Sequence, residues 1–471
     1  MDMENFREWA VKCAEWGVSY RELVESRPVR SSVSPGEIRV QLPALPPEEG
    51  ETFQSIFNDF ERIIMPGITH WQHPNFFAYF PANAAPPSVL AEMLVANLAS
   101  QCMIWQTSPA ASELEEVMIR WLGKAVGLPN HFGVIEDTAS TATLGAIMTM
   151  RERAFEWQGN ELGLSGLNQV RVYASSEVHS SIDRAIWVAG IGQQNLVRVP
   201  INGENRAIDV DALRHQIVMD QRIGMLPAGI VICFGGTSCG STDNIEEVQQ
   251  VAREFNLYTH VDAAWAGSAM ICDELRENWN GIEDADSIVF NPHKWLGAQF
   301  DCSIHFVKDR ETTLKTLAIH PEYLKTYERQ NFVDFCEMTI PLGRKFRALK
   351  LWFLLRSYGL KSLREKIRNH IQWARDLSQR FKNEMDFELV TEPQFSLFTF
   401  RYHPEEYLGD LDELNQRLVA RINDAGSIYL SSTRVDGKLV IRFQVGQFDT
   451  KRHHVMQAGN LICETARRLS R

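Results

Sequence analysis

Short apolar segments alternate with helical segments over residues 86–310, and this alternation constrains the fold more than any other feature of the sequence. Near-continuous apolar strands separated by helices are typical of a mostly parallel sheet covered on both faces. The predicted strands are Phe132–Ile135, Val170–Ala174, Leu196–Val199, Gly229–Phe234, Leu257–Val261, Ser287–Phe290 and Ser303–Val307. The helices predicted between them include 139–157, 180–190, 209–221 and 244–255.

The segments on either side of this pattern predict an N-terminal arm and a smaller C-terminal domain. Residues 1–65 are predicted to be helical, with an extended interruption at 33–46 where prolines and a Pro-Gly turn break the periodicity. From residue 344 the pattern predicts a long helix at 345–382, then strands at 386–390, 396–401 and 438–444 around a helix at 411–424, and a closing helix at 450–469. The expected organisation is 1–85, a helical arm with an aromatic loop; 86–343, a large α/β domain; and 344–471, a small α+β domain.

Composition and charge exclude several classes of protein. Apolar residues make up 44% of the chain and charged residues 23%, which argues against disordered, collagenous and coiled-coil proteins. The net charge of −12 repels nucleic acid and anionic lipid. We see neither a signal peptide nor an apolar run near the roughly 18–20 residues of a membrane span. We therefore expect a soluble protein. Because the eight cysteines lack metal-ligand spacing or a dense framework, we also expect reduced thiols, no metal and a cytoplasmic location.

An aspartate and a lysine follow neighbouring predicted strands of the large domain. Asp262 ends the strand in LYTHVDAAWAG, and Lys294 follows the next strand in SIVFNPHKWLG. Both can therefore lie at the carboxyl edge of the sheet, where open α/β sheets bind ligands. An amine and a carboxylate there suit pyridoxal phosphate, since the lysine can form a Schiff base and the aspartate can keep the ring nitrogen protonated. Ala263 and Ala264 leave room for a flat ring.

Three further segments fit the same ligand, although each has a simpler explanation when taken alone. Residues 137–141, DTAST, begin an alanine-rich helix, where free N–H groups and the positive end of the dipole suit a phosphate; the alternative is a plain helix cap. His179 begins another helix at the same edge, where it could stack on a ring or simply cap the helix. Tyr323 lies in a weakly periodic stretch at about 310–340, which is typical of a functional loop.

The aromatic segment 71–87, WQHPNFFAYFPANAAPP, is too irregular for a strand or a helix. It is interpreted either as core packing or as the wall of a small-molecule pocket, because rigid aromatic faces on a loop suit such sites. The candidate wall residues are Trp71, Tyr79 and Phe80.

The segment Gly236–Gly240, GTSCG, matches the nucleophile-elbow pattern of serine hydrolases and follows a strand. An elbow serine begins its helix directly, whereas here Ser241, Thr242 and Asp243 intervene and Asp243 is predicted to cap the helix at 244–255. Since no aspartate-then-histidine continuation follows in a strand-end context, a hydrolase is disfavoured. Metalloprotease, paired-CxxC and Walker motifs are absent from the sequence, so metal and nucleotide chemistry are not predicted.

Over nearly its whole length the chain resembles the pyridoxal-phosphate group II decarboxylases, most closely the aromatic L-amino-acid decarboxylases. The segments that carry the resemblance are HWQHPNFFAYFP, WQTSPAASELEEVMIRWL, VHSSIDRA, HVDAAWAGSAMIC, NPHKWLGAQFDCS and IPLGRKFRALKLW. The resemblance implies the PLP-dependent transferase fold of type I and an obligate homodimer in which the arms intertwine and both chains line each site. It also implies conversion of an aromatic L-amino acid, of the tryptophan, tyrosine, phenylalanine or DOPA type, into the amine and CO2.

The resemblance implies a role for each matching residue. Lys294 would hold the cofactor as a Schiff base, Asp262 would partner the ring nitrogen, and His179 and Ala264 would flank the ring. The other cofactor-binding residues would be Ala139, Ser140, Thr237, Asn291 and His293. Tyr323 matches the tyrosine of a mobile catalytic loop that delivers a proton to Cα. Because a related group with phenylalanine at that position forms aldehydes by oxidative deamination, Tyr323 favours amine formation.

The chain departs from the family in the residues expected around the substrate. Ala82 stands where animal aromatic decarboxylases have threonine, and Gln101 and Met103 stand where they have isoleucine and phenylalanine. Gly343 falls where plant relatives have glycine for indolic and serine for phenolic substrates, which favours tryptophan, although animal enzymes with other preferences also have glycine. With Trp71, Tyr79 and Phe80, these residues complete the predicted substrate-binding set.

Three alternatives to an aromatic decarboxylase stay open at this point. An aldehyde synthase on the same scaffold would form hydrogen peroxide and ammonia. A decarboxylase of acidic or small amino acids would need a basic group for its substrate, and the aromatic loop offers no evident one. A binding or scaffold protein that keeps the fold would carry no cofactor absorbance.

Overall fold

The computed structural model describes residues 1–319 and 334–470, which divide into two compact units. The first unit contains Met1–Pro81, Trp373–Val390 and Thr399–Arg471. The second unit contains Ala82–Gln372 and Thr391–Phe398. This division groups the chain differently from the three consecutive domains expected from the sequence, whose boundaries remain a prediction.

The second unit alternates helices with strands, and the first unit contains both kinds of element as well. The described helices are α1 (Met3–Leu23), α2 (Phe53–Asp59), α3 (Pro86–Leu98), α4 (Pro109–Val126), α5 (Ala139–Ala154), α6 (Gln158–Leu162), α7 (Ser181–Val188), α8 (Val210–Arg222), α9 (Ile245–Glu254), α10 (Arg310–Leu317), α11 (Ala348–Asn383), α12 (Leu411–Asp424) and α13 (Arg452–Leu469). The described strands are β1 (Phe132–Glu136), β2 (Val170–Ser175), β3 (Leu196–Val199), β4 (Ile201–Asn202), β5 (Ala207–Ile208), β6 (Leu226–Cys233), β7 (Tyr258–Asp262), β8 (Ser287–Phe290), β9 (Ser303–Val307), β10 (Phe387–Gln394), β11 (Leu397–Tyr402), β12 (Ser431–Val435) and β13 (Lys438–Gln444).

The central feature of the second unit is a seven-stranded sheet with the strand order β1-β9-β8-β7-β6-β2-β3. The strands from β8 to β3 pair in parallel, and β9 runs antiparallel to both of its neighbours. Apolar side chains of α5, α7, β2 and β6 form one continuous buried cluster against this sheet. The predicted α/β fold with a mostly parallel sheet is therefore confirmed.

The strand β6 begins three residues earlier than the sequence pattern predicts, at Leu226 instead of Gly229. The added residues include Pro227, which cannot donate to a hydrogen-bonded ladder. In the structure the register between β2 and β6 shifts between Arg171 and Val172, opposite Pro227 and Gly229. The register shift accommodates Pro227 within the strand, so the parallel pairing of β2 with β6 continues on both sides of the proline.

A smaller sheet with the order β10-β11-β13-β12 forms near the C-terminus. The edge strand β12, Ser431–Val435, was missed from the sequence because its residues SSTRV are mostly polar. Its side chains alternate between exposed and partly buried positions, as expected of an edge strand. The predicted continuous helix at 345–382 is also wrong in detail, because α11 is broken at Gly359, whose φ is +66°.

The N-terminal arm differs from its prediction at 33–46, which was expected to be extended. Gly36, with a φ of +98°, instead allows a compact turn in which the N–H of Glu37 donates to the carbonyl of Ser34. A short 3-10 helix at Arg39–Gln41 follows it. The Pro-Gly pair therefore begins hydrogen-bonded turns and does not simply interrupt a helix.

None of the helices in the described part of the chain combines the length and hydrophobicity that a membrane-spanning segment needs. The same residues contain no group of three or more histidines, cysteines or carboxylates placed to hold a metal ion.

A buried ion pair joins three segments of the second unit. The carboxylate of Glu115 on α4 lies 2.5 Å from Arg344, and these side chains are only 5% and 3% exposed. Glu115 also accepts a hydrogen bond from the N–H of Ile135 in β1, at 2.7 Å. Removing one member of such a pair leaves the other charge buried without its partner, which is far more costly than losing an exposed pair.

We therefore expect Glu115→Ala to lower the free energy of unfolding by about 3 kcal/mol. The matched control is Glu274→Ala, because the ion pair of Glu274 with Arg368 is half exposed on both sides, and its loss should cost less than about 1 kcal/mol. Urea titrations followed by circular dichroism measure both values. Equal losses in the two variants would contradict the account of the buried pair.

A hydrogen-bonded chain of buried side chains crosses β7, β8 and β9. Thr143 of α5 contacts Nε2 of His260 at 3.1 Å, and Nδ1 of His260 lies 2.8 Å from the hydroxyl of Ser287. That hydroxyl lies 2.8 Å from Nε2 of His305. Burial lowers the pKa of His260 to about 3 and that of His305 to about 4, so both imidazoles are neutral at neutral pH.

These buried histidines should make the fold less stable in acid. Below pH 6.5 the unfolded chain protonates its imidazoles while the folded chain does not, so this contribution to stability falls from pH 6.5 towards about 4. We expect His305→Gln to flatten the dependence of the unfolding free energy on pH by about 1 kcal/mol per pH unit in that range. Replacing the exposed His215 with glutamine is the control and should leave the slope unchanged.

Candidate active site

A cavity of about 180 Å³ opens at the carboxyl edge of the parallel sheet. Its lining residues are Thr138, Ala139, Ser140, His179, Ser181, Cys233, Gly235, Gly236, Thr237, Asp262, Ala264, Trp265, Asn291, His293 and Lys294. All nine residues predicted to bind a cofactor are in this set. The structure therefore brings them together around one space, while their individual roles remain predictions.

Asp262 and Lys294 reach this cavity because β7 and β8 are neighbours in parallel register, with Asp262 opposite Val289. The side chain of Asp262 is buried, and its Oδ1 accepts a hydrogen bond from the N–H of Ala264 at 3.1 Å. This bond holds the carboxylate at the end of its strand. A buried carboxylate in a fixed position is suited to pairing with a cationic group of a ligand.

The loop that carries Lys294 is tied to the end of β7 through the backbone. The N–H of Asn291 donates to the carbonyl of Ala264 at 2.8 Å, and the N–H of Lys294 donates to the carbonyl of Asn291 at 2.9 Å. The side chain of Asn291 accepts a 2.7 Å hydrogen bond from the hydroxyl of Ser303 in β9. The segments that present the carboxylate and the amine therefore share a rigid backbone connection.

His179 presents a neutral imidazole to the cavity. Burial and the positive charge of Lys294 lower its pKa, and the opposing effect of Asp262 is smaller than that of burial. Its Nδ1 accepts a hydrogen bond from the N–H of Ser181 at 3.1 Å, so the single proton of the neutral ring is on Nε2. His179 precedes α7, which begins at Ser181.

His293 is a second neutral imidazole at the cavity. Burial, reinforced by the neighbouring Lys294 charge, lowers its pKa to about 3. Its Nδ1 accepts the N–H of Cys302 at 3.0 Å, which leaves the proton on Nε2 as a hydrogen-bond donor. The two histidines thus add polar contacts to the site without adding positive charge.

The helix α5 begins at the cavity with Ala139 and Ser140. Its N-cap residue, Thr138, makes no side-chain capping bond, and its hydroxyl and N–H both donate to the carboxylate of Asp137. The first-turn N–H groups are therefore without a side-chain acceptor from the cap. A helix start of this kind is a ready-made binding site for a phosphate.

The loop after β6 is compact, and its glycines explain why. A Cβ atom on Gly235 would lie 2.5 Å from the side chain of Ala266, and one on Gly236 would meet the hydroxyl of Ser241. The N–H groups of both glycines donate to the carbonyl of Ser241, at 3.0 and 2.7 Å. Thr237 follows this tight turn and lines the cavity.

The predicted cap of α9 is corrected by the structure, and the argument against a serine nucleophile becomes stronger. Asn244 caps α9, with its side chain accepting from the N–H of Glu247. Asp243 is instead buried and accepts from the N–H groups of Cys233 and Ile208, and burial raises its pKa to about 7. Ser238 therefore lies several residues from the start of the helix, unlike the serine of a nucleophile elbow.

Sequence reasoning missed several residues of the cavity wall. They are Thr138, Ser181, Cys233, Gly235, Gly236 and Trp265. Each lies within four residues of a predicted site residue, so proximity along the chain was the available signal. Cys233 is the last residue of β6, and the predicted strand had continued one residue past it.

The structure describes all seven predicted substrate-binding residues, and none of these seven lines this cavity. In the first unit, the partly exposed rings of Trp71 and Tyr79 stack with centroids 6.0 Å apart, and Phe80 is buried. In the second unit, Oε1 of Gln101 accepts the N–H of Arg344 at 2.6 Å. The remaining predicted residues of the second unit are Ala82, Met103 and Gly343.

Gln101 and Gly343 are neighbours in the second unit. A Cβ atom placed on Gly343 would lie 3.3 Å from Nε2 of Gln101. The space left by the missing side chain is therefore bordered by the amide of Gln101. Tyr323, the predicted proton donor, lies outside the described residues.

The groups around the cavity fit pyridoxal phosphate. The start of α5 suits the phosphate, the carboxylate of Asp262 suits a protonated ring nitrogen, and the amine of Lys294 suits an aldehyde. Neutral imidazoles and small side chains such as Ala264 are compatible with a flat aromatic ring.

Comparison with known proteins agrees with this fit. The family model for the pyridoxal-dependent decarboxylase conserved domain matches residues 35–403. Tryptophan decarboxylase 2 of Oryza sativa subsp. japonica is 39% identical over 99% of this chain and 95% of its own length. The aromatic-L-amino-acid decarboxylase of Mus musculus is also 39% identical, over 99% of this chain and 98% of its own length.

Among solved structures, Oryza sativa TDC with PLP and tryptamine superimposes with a TM-score of 0.96. The two are 32% identical, and the match covers 100% of this chain and 99% of that one. The matches extend over the sheet, the cavity and the C-terminal region alike. The chain therefore belongs to the pyridoxal-dependent decarboxylase family.

Proposed function

We propose that this pyridoxal-dependent decarboxylase acts on an aromatic L-amino acid and releases the corresponding amine and CO2. The observation that carries the proposal is the pairing of the Lys294 amine with the Asp262 carboxylate in one cavity at the ends of neighbouring parallel strands. The aromatic substrate class is supported by the tryptophan and aromatic-L-amino-acid decarboxylases among its relatives.

Asp262 and Lys294 have distinct tasks in this proposal. When bound, pyridoxal phosphate supplies a ring that accepts the electrons of the breaking carbon–carboxylate bond. Asp262 holds a proton on the ring nitrogen, and its hydrogen bond from Ala264 keeps the carboxylate in place for that task. Lys294 would provide the amine that holds the cofactor aldehyde.

The remaining cavity residues orient the cofactor. His179 would stack on the ring with Ala264 on the other face, and because its imidazole is neutral it would add no positive charge beside a cationic ring. Ala139 and Ser140 bind the phosphate through the start of α5, assisted by Asn291 and the Nε2–H of His293. The last of these residues, Thr237, contacts the cofactor from the loop after β6.

We assign the substrate side chain to the predicted residues of the second unit, which are Ala82, Gln101, Met103 and Gly343. Gly343 leaves space that favours an indole ring, but the amide of Gln101 borders that space and offers a polar contact for a phenol. The choice between indolic and phenolic substrates therefore depends on how Gln101 is oriented.

We also propose that the enzyme is a homodimer whose two chains share the active sites. Leu90, Leu94 and Leu98 recur every four residues on one face of α3 and are all exposed, and Met93 beside them is exposed as well. An exposed apolar face of this kind marks an interaction surface. A second copy of the chain is the partner that the resemblance to dimeric decarboxylases supports.

A cytoplasmic location fits the state of the cysteines. All eight are free thiols, including the exposed Cys13. Free thiols of this number persist in a reducing compartment, whereas secreted proteins tend to pair them.

We expect Lys294→Ala to abolish amine formation and the visible absorbance of the lysine-bound cofactor while preserving the circular dichroism spectrum. Asp262→Asn should keep the absorbance but lower kcat by about 10²–10³-fold, because the ring nitrogen loses its anionic partner. Lys308→Ala, at an exposed lysine paired with Asp284, is the control and should retain full activity. Amine production by Lys294→Ala at the wild-type rate would refute the assignment.

The substrate class is tested with the twenty amino acids plus DOPA and 5-hydroxytryptophan, scoring CO2, amine and hydrogen peroxide together. We expect amine and CO2 in equal amounts from one or more aromatic substrates, with no peroxide. Turnover confined to glutamate or aspartate would replace the aromatic class with the acidic one.

Tyr323 determines the product in this proposal, because it returns a proton to Cα after CO2 leaves. We expect Tyr323→Phe to shift the products from amine towards aldehyde, with ammonia and hydrogen peroxide detected by coupled assays. The wild-type enzyme run in parallel should consume no oxygen. An unchanged amine yield from the variant would point to another donor, such as His179.

A further inference from the structure

Asn83 binds the backbone of the segment 291–299 that carries Lys294, which is called the lysine loop below. Asn83 itself is not among the residues assigned to the cofactor. Its side chain is buried, with the residue only 1% exposed. Its N–H donates to the carbonyl of His293 at 2.7 Å, and its side-chain Nδ2 donates to the carbonyl of Lys294 at 2.6 Å. One asparagine therefore binds two successive carbonyls, the second of them on Lys294 itself.

We propose that Asn83 is a positioning residue, which fixes the direction from which the Lys294 amine enters the cavity. This inference rests on the role of Lys294 in the proposed function. Asn83 was not among the residues singled out from the sequence, because nothing in its local pattern connects it with a lysine more than 200 residues away.

The bond from Asn83 matters because the lysine loop lacks the regular pairing of a strand or a helix. Beyond β8 the chain turns at Asn291–Lys294 and again at Gly297, where φ is +92°. The carbonyl of Lys294 also accepts the N–H of Gly297, but at 3.3 Å this bond is longer than the one from Asn83. Without the side chain of Asn83, the carbonyl of Lys294 would lose the shorter of these two hydrogen bonds.

Asn83 is the first residue of a short segment, 83–88, that is hydrogen-bonded along the lysine loop and is called the strap below. The N–H of Ala85 donates to the carbonyl of Gly297 at 2.8 Å, and the hydroxyl of Ser88 accepts the N–H of Gln299 at 3.0 Å. Of these contacts, those of Asn83 Nδ2 and Ser88 Oγ use side chains and can be removed by substitution. Only the contact of Asn83 reaches Lys294, so Ser88 offers a control on the same strap.

The experiment compares Asn83→Ala, Asn83→Leu and Ser88→Ala with wild type. Leucine has the same number and branching of side-chain heavy atoms as asparagine but cannot donate a hydrogen bond, so an effect shared by both Asn83 variants reports the lost bond and not a cavity. Both variants keep the backbone N–H that donates to His293. Circular dichroism and the thermal unfolding midpoint establish that each variant is folded.

The first readout is hydrogen exchange of the amides of Lys294 and Gly297 in the cofactor-loaded protein. We expect about tenfold faster exchange in both Asn83 variants, as loss of one buried hydrogen bond implies. We also expect the pH midpoint of the visible cofactor band to shift, because the environment of the lysine–cofactor linkage changes. Ser88→Ala should speed exchange at Gln299 and leave the midpoint unchanged.

The kinetic readout is a loss of kcat of about tenfold in both Asn83 variants with KM within twofold of wild type, since orientation and not substrate binding is affected. Wild-type exchange and a wild-type midpoint in Asn83→Leu would overturn the proposal, as would equal effects in Ser88→Ala. If Asn83→Ala fails to fold, the leucine variant decides. Because exchange and absorbance need no substrate, an error in the proposed substrate would leave this test intact.

Discussion

The parallel register between β7 and β8 is the constraint on which the rest of the site depends. It brings the ends of the two strands side by side, so that Asp262 and the loop carrying Lys294 meet at one edge of the sheet. Backbone hydrogen bonds from Ala263 to Val289 and from Asn291 to Ala264 continue the connection beyond the strands. A slip of one residue would turn Asp262 to the other face of the sheet.

The electrostatics of the cavity follow from burial. His179 and His293 both have lowered pKa values because they are removed from water and lie near Lys294. Each accepts a backbone N–H through Nδ1, which selects one neutral tautomer. Among the residues that line the cavity, the charged side chains are then Asp262 and Lys294. Because the imidazoles are neutral, the carboxylate of Asp262 can pair with a cationic ring without a competing positive charge from either histidine.

Much of the fold could be predicted from the chain alone, because the large sheet is buried on both faces and its strands are continuous apolar runs. Leu196–Val199, Ser287–Phe290 and Ser303–Val307 match their predicted bounds. The errors in the predicted strands occur where the residue types disfavour a strand locally but pairing with a neighbouring strand forms one. The strand β6 begins earlier than predicted, because a register shift accommodates Pro227, and the polar edge strand Ser431–Val435 lacked an apolar pattern.

The sequence by itself determined the family and nine of the fifteen residues that line the cavity, through its local motifs and its resemblance to known decarboxylases. Tertiary structure decided what no local pattern encodes. It paired Asn83 with the carbonyl of Lys294, set Glu115 against Arg344 and placed the amide of Gln101 beside Gly343. These contacts join residues far apart in the chain, and their geometry exists only once the packed backbone brings the partners within hydrogen-bonding or contact distance.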